Sequence, residues 1–201
     1  RLFLFLWELI RIPLGGLYRA VSFAGKKGYT MLPHSSRKAI RGVLIECFGE
    51  IPGQGDKGGV IDTGVDYNHP DLEPNIKKVR SFIDDTDGFD SGFHGTHVAG
   101  IIAGAINDVG IVGVAPEAEL YVAKVFGANN RFSSTAERAA LEWLASEDVH
   151  VINMSYGGFF PIDIPEAKKS LDQYHALIKE IHNAGIQLVA ASGKSGNPRD
   201  T

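Results

Sequence analysis

Two residues of this chain have the types and the setting for proton-transfer chemistry. Asp62 closes the segment Val-Ile-Asp-Thr-Gly, and His94 opens His-Gly-Thr-His-Val-Ala-Gly 32 positions later. A carboxylate that holds one nitrogen of an imidazole leaves the other free to act as a base, and such a base can activate a hydroxyl nucleophile. Alone, an aspartate after an apolar run reads as a turn or cap residue, and a lone histidine as a surface or packed side chain. The surroundings favour more. Ser155-Tyr156-Gly157-Gly158 follows the apolar run Val151 to Met154, and Ser192-Gly193-Lys194-Ser195-Gly196 follows Leu188 to Ala191. His97 stands three residues after His94, a spacing that could suggest metal ligands, but the glutamate of the zinc-binding helix pattern is missing. Packing or orientation is the role expected of it.

Chemistry of this kind needs elements that bring distant residues together. The apolar runs Val60-Ile61, Val79 to Ile83, Leu120 to Val125, Val149 to Met154 and Ile186 to Ala191 are rich in β-branched residues. Such nearly continuous runs suit strands buried on both faces. Helices are expected between them. One covers about Gly95 to Ile106. Another opens at Ser134, where Ser134 and Glu137 have capping-box spacing. A third starts near Pro165, a favoured first helical residue, and stops at Gly185. Strands alternating with helices predict an α/β fold of three layers, a mostly parallel sheet flanked by helices. In open sheets of this type ligands bind beyond the carboxyl ends of the strands. Asp62, His94 and the segments after residues 154 and 191 are therefore expected at one rim.

Residues 1–56 do not join this rhythm and are expected to form a separate extension, with residues 57–201 as the α/β domain. Pro33 to Ser36 reads as a turn and Pro52 to Gly59 as a flexible glycine-rich linker. Gly53 to Gly58 matches Gly-x-Gly-x-x-Gly, but it precedes a strand, whereas a dinucleotide-binding fingerprint follows one. The chain has 201 residues, 44% of them hydrophobic and 22% charged, enough for one sizeable core. A formal net charge of −4 gives nucleic-acid binding no electrostatic support. Cys47 is the single cysteine, so no internal disulfide can form. The apolar run Leu2 to Ile10 contains Glu8 and meets Arg11 and Pro13, so it is too short and interrupted to span a bilayer. Ser22 and Ala24 before Gly25 suit a secretory cleavage site, which makes an extracellular location the expectation and a cytoplasmic one the alternative.

The motifs together resemble a known family. Val60 to Asp66 with His69-Pro70-Asp71-Leu72 is similar to the aspartate motif of the subtilases, the subtilisin-like serine proteases. His94 to Gly100 is similar to their histidine motif. Gly113-Val114-Ala115-Pro116 and Asn153-Met154-Ser155-Tyr156-Gly157-Gly158 resemble two further landmarks, in the family's order. The resemblance covers about residues 57–201. It implies a serine-type endopeptidase with Asp62 and His94 catalytic. It also implies a polypeptide substrate held between Asn130-Arg131-Phe132 and Ser155 to Gly158, and a monomer. It further implies a calcium site made by the Asp71 carboxylate, the Asn107 side chain and the carbonyls of Ala105, Val109 and Ile111, an oxygen-only set suited to Ca²⁺.

Three departures qualify that implication. The family's nucleophile motif, Gly-Thr-Ser-Met-Ala, does not occur, and in relatives it lies well beyond the position matching Thr201. The chain is thus expected to hold only part of the catalytic domain and not to hydrolyse peptides by itself. Lys194 stands where the family has the asparagine that donates to the oxyanion. Lys57-Gly58-Gly59 replaces the usual apolar alternation before Asp62, a substitution expected to weaken a central strand. The alternative reading is a degenerate, non-catalytic relative that binds peptides or is inert.

Overall fold

The computed structural model describes residues 52–83, 87–107, 109–127, 130–158 and 165–191. The expectations for the extension before residue 52, including the secretory segment, and for Ser192 to Gly196 with Lys194 fall outside these residues. Five strands and three helices alternate: β1 (Lys57–Asp62), β2 (Ile76–Ser81), α1 (His94–Ala103), β3 (Glu119–Lys124), α2 (Ser134–Ser146), β4 (Val151–Met154), α3 (Pro165–Asn183) and β5 (Gln187–Ala190). All strand pairs are parallel, in the order β2-β3-β1-β4-β5. This is the subtilisin-like α/β arrangement expected from the sequence.

β1 lies at the centre of the sheet. It meets β3 over six positions, from Lys57 opposite Glu119 to Asp62 opposite Lys124, and β4 from Gly58 opposite Val151 to Val60 opposite Asn153. Side chains alternate across it, as the two-residue period of a strand requires. Val60, Leu120 and Val122 face one layer with Ala99 and Ala103 of α1. Ile61, Tyr121 and Ala123 face the other with Ala140, Leu141 and Leu144 of α2 and Ile181 of α3. Helices therefore cover both faces. The chain leaves β1 for β2 and β3 on one side and for β4 and β5 on the other, so the carboxyl end of β1 sits at the topological switch, where ligand sites form.

Three sequence expectations are corrected here. The segment from Pro52 to Gly59 is not a flexible linker. Asp56 N–H donates to Gly53 O in a turn, the Glu117 and Glu119 N–H groups donate to Pro52 O and Asp56 O, and residues 57–59 are strand. Gly53, at φ +94°, packs so closely that a Cβ there would stand 2.6 Å from Ala118 N. Nor does Gly59 leave a hole in β1, because Leu144 fills its face. A Cβ on Gly59 would meet Leu144 Cδ1 at 3.0 Å and Ile152 Cγ1 at 3.2 Å. The cap of α2 also differs: the N-cap is Ser133, whose Oγ accepts from Ala136 N–H, while Glu137 turns into the core.

The helix bounds shift slightly. α1 opens at His94 rather than Gly95 and ends at Ala103, where Gly104 breaks away. α3 begins at Pro165 as expected, and Gly185 at φ +96° ends the turn after it. His97, expected to serve in packing or orientation, is exposed on α1, which leaves it no part in packing. No helix among the described residues is long and apolar enough to cross a membrane.

Candidate active site

Asp62 ends β1 and is 1% exposed, and His94 is the first residue of α1. The topology brings them together at one rim of the sheet. His94 Nδ1 lies 2.9 Å from Asp62 Oδ1 and 3.0 Å from Oδ2. Thr63 N–H donates to Asp62 Oδ1 at 2.7 Å. With Nδ1–H given to the carboxylate, Nε2 keeps its lone pair, and the His94 side chain is 55% exposed, open to an incoming group. Burial pushes the Asp62 carboxyl above its usual value, against the opposing pull of the His94 hydrogen bond, the Thr63 N–H and the His94 charge.

Local sequence explains the fit. Gly95 passes so close to the β1 exit that a Cβ on it would stand 2.1 Å from Gly64 O and 3.1 Å from Asp62 Cβ. Gly64 itself needs φ +110°. Phe93, the residue before His94, takes the left-handed conformation at φ 61° and is 74% exposed. It gives α1 no side-chain cap. The free N–H groups of the first turn are taken instead by Thr63 Oγ1, which accepts from Gly95 at 3.0 Å, and by Asp90 Oδ2, which accepts from Thr96 at 2.8 Å.

The expected substrate segments flank this pair. Asn130 (φ 56°), Arg131 and Phe132 are exposed, and Gly127 N–H donates to Arg131 O at 2.9 Å. Phe126 and Phe132 form an isolated antiparallel bridge. The Asn130 side chain leaves no room at Gly92, whose Cβ would meet Asn130 Oδ1 at 2.8 Å. Ser155 is tied to Asn153, accepting from Nδ2 at 2.8 Å. Gly157 and Gly158 are exposed, with open space where a Cβ would stand. Tyr156 bridges the two segments through ring contacts to Phe126 at 5.3 Å and Phe132 at 5.6 Å.

The settings of three polar residues here escaped the sequence reading. Tyr156 Oη and Tyr174 Oη donate to Glu137 Oε1 at 2.7 and 3.1 Å. Burial raises the Glu137 carboxyl, with the two phenol hydrogen bonds opposing. Burial also lowers the ammonium of Lys124, which is 2% exposed and opposes Asp62 across β1 and β3. Asp90, 3% exposed, lies four residues before His94. A charge set inside the apolar run Leu120 to Val125 was the one visible signal for Lys124. Glu137 was legible only as a capping-box partner of Ser134, and nothing in the sequence placed it against Tyr156 and Tyr174.

Of the residues expected to hold calcium, Asn107 and Ile111 meet Asp71, through nitrogen rather than through the expected oxygens. Asp71 is 2% exposed and has no basic group within ion-pair distance among the described residues. Its Oδ1 accepts from Asn107 Nδ2 at 2.9 Å and its Oδ2 from Ile111 N–H at 2.8 Å, while Ala105 N–H donates to Asp71 O. Asn107 differs from the expectation in its orientation: its nitrogen faces Asp71 and its oxygen accepts from Val109 N–H at 2.9 Å. No group of three or more His, Cys, Asp or Glu that could hold a metal occurs among the described residues. A cation here would rely on one carboxylate and neutral oxygens, a donor set that fits Ca²⁺ and not zinc.

Comparison with known proteins agrees with this geometry. The family model described as the subtilase family, Peptidase_S8, matches residues 53–201. Subtilisin BL and subtilisin Savinase of Lederbergia lenta are each 40% identical over 147 residues, 73% of this chain and 50% of the relative. The major intracellular serine protease of Bacillus subtilis (strain 168) is 36% identical over 159 residues, 73% of this chain and 45% of the relative. The chain spans about half the length of these curated relatives.

Proposed function

Because the chain belongs to the subtilase family, we propose that it carries the base and the orienting carboxylate of a serine endopeptidase, with the nucleophilic serine supplied by polypeptide outside this sequence. The observation that carries the reading is the buried Asp62 carboxylate on His94 Nδ1, with Nε2 left open. In the reaction His94 Nε2 takes the serine hydroxyl proton as the oxygen attacks the peptide carbonyl. Asp62 holds the tautomer that makes this possible and stabilises the imidazolium. His94 then returns the proton to the departing amine as the C–N bond breaks.

The substrate is an extended polypeptide running between Asn130-Arg131-Phe132 and Ser155 to Gly158. Main-chain pairing of this kind tolerates varied side chains. Lys194 supplies the oxyanion donor in place of the family's asparagine, with a longer and less preorganised stem. Asp71, with the Asn107 side chain and the carbonyls of Ala105, Val109 and Ile111, would hold a structural Ca²⁺. That ion supplies charge compensation for a buried carboxylate and takes no part in peptide cleavage.

The test uses the full-length gene product and a serine-directed phosphonyl fluoride. Stoichiometric labelling of one serine, lost in the His94→Ala variant, is the expected result. A folded protein that does not react refutes the reading and favours a non-catalytic peptide-binding relative.

A further inference from the structure

A second buried polar cluster braces the Asp62–His94 pair without touching the atoms that would react. The Asp90 carboxylate sits at its centre. Oδ1 accepts from Thr63 Oγ1 at 2.7 Å and from Gly92 N–H at 2.9 Å. Oδ2 accepts from Thr96 N–H at 2.8 Å and from Thr96 Oγ1 at 2.5 Å. Both hydroxyls pass the connection on. Thr63 Oγ1 accepts from Gly95 N–H at 3.0 Å, and Thr96 Oγ1 accepts from Asp66 N–H at 2.9 Å. Thr63 is the residue after Asp62, and Gly95 and Thr96 are the two residues after His94. One carboxylate thus fastens the exit of β1 to the entry of α1 by two independent routes.

Lys124 closes the cluster from β3. Its Nζ donates to Thr63 O at 2.6 Å, Phe89 O at 2.8 Å and Ser91 Oγ at 3.0 Å. It therefore ties the exit of β1 to the loop that carries Asp90. Burial alone would push the Asp90 carboxyl up, but the hydrogen bonds from Thr96, Thr63 and Gly92 outweigh it and hold the group ionised. Helix capping by itself would need only the bond to Thr96 N–H. The link to Thr63 does nothing for α1 directly; what it fixes is where α1 begins relative to β1.

We propose that Asp90 is a positioning residue for the Asp62–His94 pair, setting the placement of the His94 ring on the carboxylate through Thr63 and Thr96. The proposal rests on the proteolytic reading for its kinetic consequence but not for its geometry. Misplacing a catalytic group by about 1 Å costs on the order of 10²-fold in rate.

The experiment uses the full-length gene product. Asp90→Asn keeps the Oδ1 acceptor and turns an amide toward the two Thr96 donors. It is expected to lower kcat about 10–100-fold, with KM within about twofold, at a temperature where the variant is folded. Thr96→Val should lower kcat in the same direction. The double variant should be no slower than Asp90→Asn alone, because both cut one route. Retained kcat despite a lowered Tm, or effects that multiply independently, would overturn the proposal. If the parent protein neither cleaves peptides nor takes the phosphonyl label, the function fails separately, and the downfield NMR resonance of the His94 Nδ1 proton decides the geometry. Loss or broadening of that resonance in folded Asp90→Asn supports the proposal; an unchanged resonance ends it.

Discussion

At Asp62 the energetics of burial and the demands of chemistry pull the same way. A carboxylate 1% exposed costs free energy unless its oxygens are engaged, and Thr63 N–H and His94 Nδ1 engage them. Replacing Asp62 with asparagine keeps the shape but allows the amide to stabilise the wrong tautomer of His94. Turnover of the full-length protein should fall about 10⁴-fold, the order found when the aspartate of a serine-protease triad is so changed. A loss under tenfold in steady-state kinetics would remove the orienting role. Glu137 allows a second expectation, this time about stability. Its folded carboxyl titrates above the unfolded value of 4.5, so the native state binds more protons through that window. Stability therefore falls as pH rises through it, and the penalty is fully present above the folded value. The Tm difference between Glu137→Gln and the parent should move in the variant's favour from pH 4 to pH 8. A difference independent of pH would show that Glu137 is not strained by its charge. The buried settings of Glu137 and Asp90 were not legible in the sequence. Each looks like an ordinary polar residue until folding brings Tyr156 and Tyr174, or Thr63 and Thr96, against it. Asp62 and His94 were legible because local motifs single them out.

Elements were readable where a period decides them and misread where packing from elsewhere does. Five apolar runs pointed to five parallel strands, but only the three inner ones are buried on both faces: β2 starts at Ile76, before its run, and it and β5 lie at the sheet edges, partly exposed. Gly58-Gly59 suggested a linker or a weak strand because glycine has no side chain to bury. The missing volume is supplied across the layer by Leu144 of α2, a tertiary compensation that no local window reveals. Gly59→Val should consequently destabilise the protein, despite valine's strand preference, by about 1–3 kcal/mol of overpacking. Urea unfolding checks this, and a gain in stability would mean that Leu144 gives way freely. The α2 cap was placed one residue late because Ser133 and Ser134 are both plausible caps and Glu137 completed a box with the second. The Ser133 Oγ bond to Ala136 N–H implies that Ser133→Ala costs about 1 kcal/mol while Ser134→Ala costs almost nothing. Equal effects of the two substitutions on Tm would contradict the observed cap.

For the whole molecule, the loop from Gly104 to Gly113 is a seam between the end of α1 and the turn that holds Asp71. Gly113 N–H donates to Gly104 O at 2.8 Å, and Ile111 N–H and the Asn107 amide reach the Asp71 carboxylate. Gly110 is pressed onto the same group at φ +61°, where a Cβ would overlap Asp71 Oδ2. The seam thus converges on one buried negative charge that no basic side chain balances among the described residues, in a chain whose formal net charge is already −4. Two neutral donors satisfy its hydrogen bonding without neutralising it, and a divalent cation among the loop oxygens would do so. A ligand that binds only the native state at 100 times its Kd stabilises it by about 2.7 kcal/mol. For a protein of about 150–250 residues that corresponds to a Tm about 5–10 °C higher, and to a smaller rise in a longer chain. Adding EDTA to the calcium-loaded full-length protein should lower its Tm by that order, and readdition of calcium should restore it. Asp71→Asn should lower Tm in calcium and abolish the response to EDTA, because the charge that the ion compensates is gone. Full-length protein whose melting ignores both EDTA and calcium would show that the Asp71 loop is held by its own hydrogen bonds alone.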